Sequence, residues 1–211
     1  MRATIFILPA LINLNAAEDP SALVKTFAGE LEKLDPIIGS FPPHITSESH
    51  LKEVKSTYEK LKARLDSAIH SFPENNQLLF QRGALQSMGH NMDVPGAFEA
   101  SQTDFKLVLS RNPKSISATV ALGLLLVNSD QKNAHEAEAL FRKAQELSAS
   151  QLLEDAQRGL YFALYYQGKM NAALAQIEFL LKNWPEDEQY LKLREITKQV
   201  IERSKKLETA K

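Results

Sequence analysis

Ala137-Glu138-Ala139-Leu140-Phe141-Arg142-Lys143-Ala144 places small, large and small side chains at Ala137, Phe141 and Ala144, spaced four and then three apart. On an α-helix those positions share one face, whereas a strand would send them to opposite faces. Small residues let a second helix approach closely, and the large one fills the space beside them. The same four-then-three spacing returns at Ala173, Ile177 and Leu180. The chain contains 8 glycines and 9 prolines in 211 residues, few for a strand-and-turn architecture.

Outward from this stretch the chain repeats. Phe72-Pro73-Glu74-Asn75, Asn112-Pro113-Lys114-Ser115 and Trp184-Pro185-Glu186-Asp187 each close a unit. The intervals between the prolines are 40 and 72 residues, and a missing proline near Ala149 would divide the second. Asn75, Ser115 and Asp187 are suited to cap the helices that follow, because their side chains can accept from the first free N–H groups. Leu79, Gly83, Phe105 and Val108 mark the first unit, Gly123 the middle one, and Leu160, Tyr161, Leu164 and the turn Gly168 the last.

Upstream, Leu51, Val54, Tyr58, Leu61, Leu65, Ile69 and Phe72 recur every three or four residues and predict one long amphipathic helix. Such a stripe must be buried against a neighbour. Asp19-Pro20 reads as an earlier helix start, with Leu23, Val24, Phe27, Leu31 and Leu34 as its apolar face. That helix is expected to stop at Asp35-Pro36, since a residue before proline is pushed out of the helical region. Residues 36–46 then form an irregular linker. A last helix over 185–207 places Tyr190, Leu193, Ile196, Val200 and Ile201 on one side. Its acidic start and basic end suit the helix dipole and give it the character of a cap.

These spacings, the small residues, the turn glycine and the closing prolines resemble tetratricopeptide repeats. Residues 137–144 are the best match, with Leu160 to Pro185 close behind. The first unit departs by about six extra residues around Asn91 to Gly96, and the middle one by about two near Asp130 to Asn133. The resemblance implies an all-α fold, a right-handed superhelical stack of antiparallel helix pairs with a C-terminal capping helix. The expected organisation is an N-terminal helix and proline-rich linker over 18–47, one helix of a degenerate repeat over 48–75, three repeats over 76–187, and the cap over 188–211.

In such stacks the first helices of the pairs line a concave surface that binds extended or helical peptides. Carried onto this chain, that surface takes Phe80, Ala84 and Met88 from the first unit, Val120, Leu124 and Asn128 from the second, and Arg158, Phe162, Tyr165 and Tyr166 from the third. Gln77, Ser87, Ser117, Val127 and Asp155 lie at neighbouring inward positions. One subfamily grips a chaperone's C-terminal carboxylate with lysine, asparagine and arginine. The matching positions here are Phe80, Ala84, Ala121, Asp155 and Gly159, so that clamp is missing. Phe162, Tyr165 and Tyr166 cannot all point one way on a single helix, and at least one is expected in the core.

Composition narrows the remaining classes. The 25 basic and 26 acidic residues give a net charge of −1, without the basic footprint that nucleic-acid binding requires. With no cysteine there is no disulfide, thiolate nucleophile or cysteine-based zinc site. His135-Glu136 begins like a zinc-binding helix, but Ala139 stands where the second histidine is needed. No cofactor, metal site or catalytic set is expected. At the start, Arg2, an apolar run over 3–12 and small residues before Glu18 fit a signal peptide over 1–17, which is too short to span a bilayer comfortably.

The sequence therefore points to a non-enzymatic scaffold, periplasmic or secreted, holding a protein or peptide in its groove. The alternatives are a cytoplasmic protein packing that apolar start on its body, or a self-associating subunit. In the latter the groove is filled by the chain's own N-terminal helix or by a second copy. An accessory domain of an enzyme is the remaining class.

Overall fold

The helix starts are fixed by the residues just named. In the computed structural model, which describes residues 19–149 and 151–209, Asp19 accepts from the Ser21 N–H at 2.9 Å and opens α1, Pro20–Ile38. Ser47 caps α2, Glu48–Ser71, and Asn75 caps α3, Asn76–Asn91, by accepting from Gln77 and Leu78. Ser115 accepts from Ala118 to open α5, Ile116–Ser129. Asp187 accepts from Tyr190 at 3.0 Å to open α9, Glu188–Thr209. Between them lie α4, Ala97–Arg111, α6, Ala134–Leu147, α7, Glu154–Tyr166, and α8, Met170–Asn183. Each such cap is worth about 1 kcal/mol.

Consecutive helices pack as antiparallel pairs, and α1 lies on α3 as α5 lies on α7. Every regular element among the described residues is helical. The apolar run over 3–12 and the signal-peptide segment 1–17 lie outside the described residues. Among those described, no helix is long and apolar enough to cross a membrane.

Two expectations need correction. Helix α1 does not stop at Asp35 but runs through Pro36 to Ile38. Leu31, Leu34 and Ile38 are all buried, and at the last turn the proline forfeits only one intrahelical bond. The carbonyls left open at the end of the helix are met by the linker: the His44 N–H donates to Ile37 O at 2.7 Å, and His44 Nδ1 lies 2.8 Å from Pro36 O. In α9, Tyr190 is buried and Leu193 packs on the core as expected, but Ile196 does not join them. Ile196 is 46% exposed, while Thr197 is fully buried with its hydroxyl 2.9 Å from that of Tyr161. A threonine wins the inward place because Tyr161, itself buried, needs a polar partner there.

The lengthened turn of the first unit spans residues 92–96, with Asp93 and Gly96 at positive φ. At the middle unit's turn, Gln131–Asn133 form a single 3-10 turn. The junction without a proline, between α6 and α7, is held by Gln145 together with Ser148, whose hydroxyl lies 2.7 Å from Gln151 O. Gln145 donates through Nε2 to Gln151 O at 3.0 Å and accepts through Oε1 from Gln157 Nε2 at 2.7 Å, while Ala149 takes a φ of 56°.

Packing divides into two large clusters. One joins Phe27, Leu31, Ile38, Tyr58, Leu65 and Leu85 from α1 to α3. The other joins Phe105, Leu126, Phe141, Tyr161, Ile177 and Tyr190 from α4 to α9. Between them sits a small third group of Leu79, Val108 and Ala118. Fully burying each large apolar side chain is worth about 1.5–3 kcal/mol, so these clusters supply the stability that the separate helices lack.

Candidate binding groove

The first helices of the pairs, α1, α3, α5 and α7, carry the candidate site. A cavity of about 670 Å³ opens where α1, α3 and the start of α5 meet. Its floor is Phe80, Ala84 and Met88, and α1 supplies the opposite wall through Val24, Ala28 and Leu31. Phe80 is fixed by the Phe105 ring at 5.6 Å. Gln81 ties α3 to α1 by donating to Val24 O at 2.7 Å, and its buried Oε1 accepts no hydrogen bond. Gln77 and Ser117 also line this space.

The other inward positions lie further along the stack. Val120 and Leu124 are half-buried on α5 against the same core as Phe80, and Asn128 is exposed near the end of that helix. Val127 is buried at 3% exposure, so it belongs to the core and not to the groove. Ser87 is half-buried on α3. On α7, Arg158 pairs with exposed Asp155 at 2.7 Å. None of the three aromatics expected to include a core residue is fully buried. Phe162 and Tyr165 lean on the core, Tyr166 is 38% exposed, and the fully buried ring is Tyr161. The i,i+4 register explains this: Phe162 lies over Tyr166 with centroids 6.2 Å apart, and Tyr161 lies beside Tyr165 at 6.0 Å. The site residues thus fall in two groups, three in the cavity and the rest on α5 and α7.

No family model matches the sequence, and no curated protein matches it. Among solved structures, a tetratricopeptide repeat protein from Parabacteroides merdae aligns at a TM-score of 0.58 and 17% identity, over 89% of this chain and 69% of that one. A thermophilic TPR protein of Thermus thermophilus aligns at 0.52 and 16%, over 86% of this chain and 90% of that one. The chain has the tetratricopeptide-repeat fold.

Within that fold the small positions carry the packing. A Cβ on Gly83 would lie 2.8 Å from Phe105, and one on Gly123 would lie 2.8 Å from Phe141. The tetratricopeptide stack also buries charge that the sequence alone could not pair. Asp104 on α4 takes both Nε and Nη2 of Arg82, at 2.8 and 2.7 Å, and the Gln86 amide at 2.9 Å. Arg82 also donates to Asp66 at 2.9 Å. The wall that α1 gives to the cavity was equally hidden, because α1 lies outside the recognisable repeats.

Glu138 on α6 pins the turn after α7. It accepts from Arg142 at 2.8 Å, Gln167 at 2.8 Å and Lys169 at 2.8 Å. Burial pushes its carboxyl up, but the bonds from Lys169, Gln167 and Arg142 and the Lys169 charge outweigh this and bring it down from 4.5 to about 2. A carboxyl depressed on folding contributes stability above its unfolded value and loses it as pH falls toward the folded one. We therefore expect stability to decline between pH 4.5 and 2 by no more than about 3 kcal/mol from this group, since Arg142 and Lys169 are half-exposed and screened. Urea unfolding of wild type and Glu138→Gln at pH 7 and pH 3 checks it. The variant should be the weaker at pH 7, with the gap cut by roughly half at pH 3, still above the folded value.

Proposed function

We propose that this protein is an exported, non-enzymatic scaffold that holds a peptide or partner helix along the face of α1, α3, α5 and α7. The carrying observation is the apolar and aromatic lining of that face. Phe80, Ala84 and Met88 floor a cavity, and Phe162 and Tyr166 present stacked rings further along. Stacked, partly exposed aromatics beside a groove give a large contact area at little cost in side-chain freedom, the usual chemistry of a helix-in-groove site. The non-enzymatic reading is supported by where the shifted ionisable groups sit. Glu138 and Asp66 are engaged with cations of neighbouring turns, and burial raises the phenol of Tyr58 to about 12 with Glu59 and Asp66 adding to it. Each of these serves packing. Export rests on the charge and apolar pattern of residues 2–17.

The test is affinity capture from envelope extracts with wild type and with Phe162→Ala/Tyr166→Ala. A partner held by wild type and lost by at least about tenfold from the variant is the expected outcome, as befits truncation of two aromatic anchors. Capture unchanged in the variant would move the site away from this face. Equal helical circular dichroism of the two proteins separates lost contact from lost fold.

A further inference from the structure

The cavity between α1, α3 and α5 has an electrostatic character unlike the chain as a whole. Its lining contains two carboxylates, Glu32 and Asp35, and no basic residue. Both sit in the last two turns of α1, where the carbonyl end of the helix already carries partial negative charge, and no basic residue occupies the final turn. Acidic residues at that end weaken a helix rather than stabilise it. Among the described residues neither carboxylate has a cationic partner. The nearby cations are turned elsewhere: Lys33, Lys60 and Arg64 line a separate hollow between α1 and α2, where Arg64 is held by Glu30 at 2.7 Å. In a chain of net charge −1, this pocket is a local concentration of unneutralised charge beside an apolar floor.

A second observation lies in the same space. Gln81 is 6% exposed, its amide nitrogen is committed to Val24 O, and its Oε1 has no donor. An orphaned buried acceptor costs about 1–3 kcal/mol, so Gln81 marks the α1–α3 contact beside the cavity as locally imperfect. The volume, about 670 Å³, is that of a site for a few side chains and not of a packing flaw.

We propose that this cavity receives a segment of another polypeptide that carries a lysine or arginine one helical turn from two bulky apolar side chains. The cation meets Glu32 and Asp35, and the apolar pair rests on Phe80, Ala84 and Met88. This inference rests on the groove reading above and specifies the partner's chemistry. Charge complementarity of this kind selects the partner and speeds its arrival more than it adds affinity.

The experiment uses the full chain and two labelled amphipathic helical peptides. One has leucines every three or four residues with lysines one turn away; its twin has glutamate at each lysine. By fluorescence anisotropy at low salt the lysine peptide should bind at least about tenfold more tightly, the ratio expected for two partly exposed charge pairs. It should shrink as salt rises. In Glu32→Gln/Asp35→Asn the ratio should fall below about threefold, with helical content unchanged. Equal binding of both peptides, or a ratio that survives the double substitution, overturns the proposal. If equal binding is lost in Phe162→Ala/Tyr166→Ala, the groove reading stands while the cationic partner falls. Absence of binding by either peptide overturns the proposal as well, and the captured partner's response to the aromatic variant then decides the groove reading separately. A protein that doubles its mass with concentration and binds the lysine peptide only as monomer has a second copy in the cavity. Protection of residues 1–18 from protease, relieved by excess peptide, puts the chain's own start there. Either result overturns the proposal.

Discussion

Gly159→Ala lowers the stability of the stack even though alanine is the better helix former, and Gly159→Val lowers it by more than about 3 kcal/mol. Alanine in a helix interior gains about 1 kcal/mol over glycine. Here that gain is outweighed, because a Cβ at Gly159 would fall onto the ring of Phe141, whose Cε1 and Cε2 would lie at 2.5 and 2.6 Å. The ring has little room to retreat: Phe141 is 1% exposed, and Gly123 of α5 also passes close to it, an added Cβ there lying 2.8 Å from Cε1. Overpacking of a closed core costs about 1–3 kcal/mol, and valine adds two methyl groups to the Cβ and a stiff χ1. Urea midpoints of the two variants measure this. A further variant, Phe141→Leu with Gly159→Ala, tests the cause. If the ring is the obstacle, the double variant is more stable than the two single losses added together predict. An alanine variant as stable as wild type would mean that α6 and α7 separate without cost.

Asp104→Ala is the second large loss, about 3–5 kcal/mol. The carboxylate side chain is 3% exposed and receives three hydrogen bonds, two from Arg82 and one from Gln86. Removing it leaves the guanidinium, itself only 25% exposed, with Asp66 alone, and leaves the Gln86 amide without an acceptor. Breaking a buried pair from one side costs far more than the pair contributes, because the remaining charge stays desolvated. Arg82→Met/Asp104→Leu should therefore cost less than the sum of Arg82→Met and Asp104→Leu. Equilibrium unfolding of the variants supplies the comparison, and strict additivity would show that the ion pair is not a coupled unit.

What could be read without the structure were the features that act locally. Asp19, Asn75, Ser115 and Asp187 were legible as caps because capping needs only a side chain and the next three N–H groups. Ala137, Phe141, Ala144, Ala173, Ile177 and Leu180 were legible as core because helical periodicity alone puts them on one face, and all are buried. What stayed hidden depends on residues far apart in the chain. The passage of α1 through Pro36 needed His44 to take up its carbonyls, and the α6–α7 junction needed Gln145 in place of a proline. Arg82 could not be matched to Asp104, 22 positions away, among 26 acidic residues. For the groove, the inward positions of α3 were legible by repeat register. The opposing wall was not, since α1 lies outside the recognisable repeats and only its packing on α3 brings Glu32 and Asp35 to the rim.

The division of the interior has a consequence for how the molecule responds to an occupant. The α1–α3 cluster and the α4–α9 cluster share the small apolar group of Leu79, Val108 and Ala118, and α3 is locked to α4 as well by Gly83 against Phe105 and by Arg82 and Gln86 on Asp104. The cavity spans that boundary, for Leu31 belongs to the first cluster, Val108 to the junction, and Phe80 packs on the second. In a repeat array, cooperativity is set by nearest-neighbour coupling, so a boundary closed by interlocked side chains and a buried ion pair makes the two halves unfold as one unit. A segment lying across it would add contacts to halves already coupled, and its binding free energy would therefore appear as added stability of the whole stack.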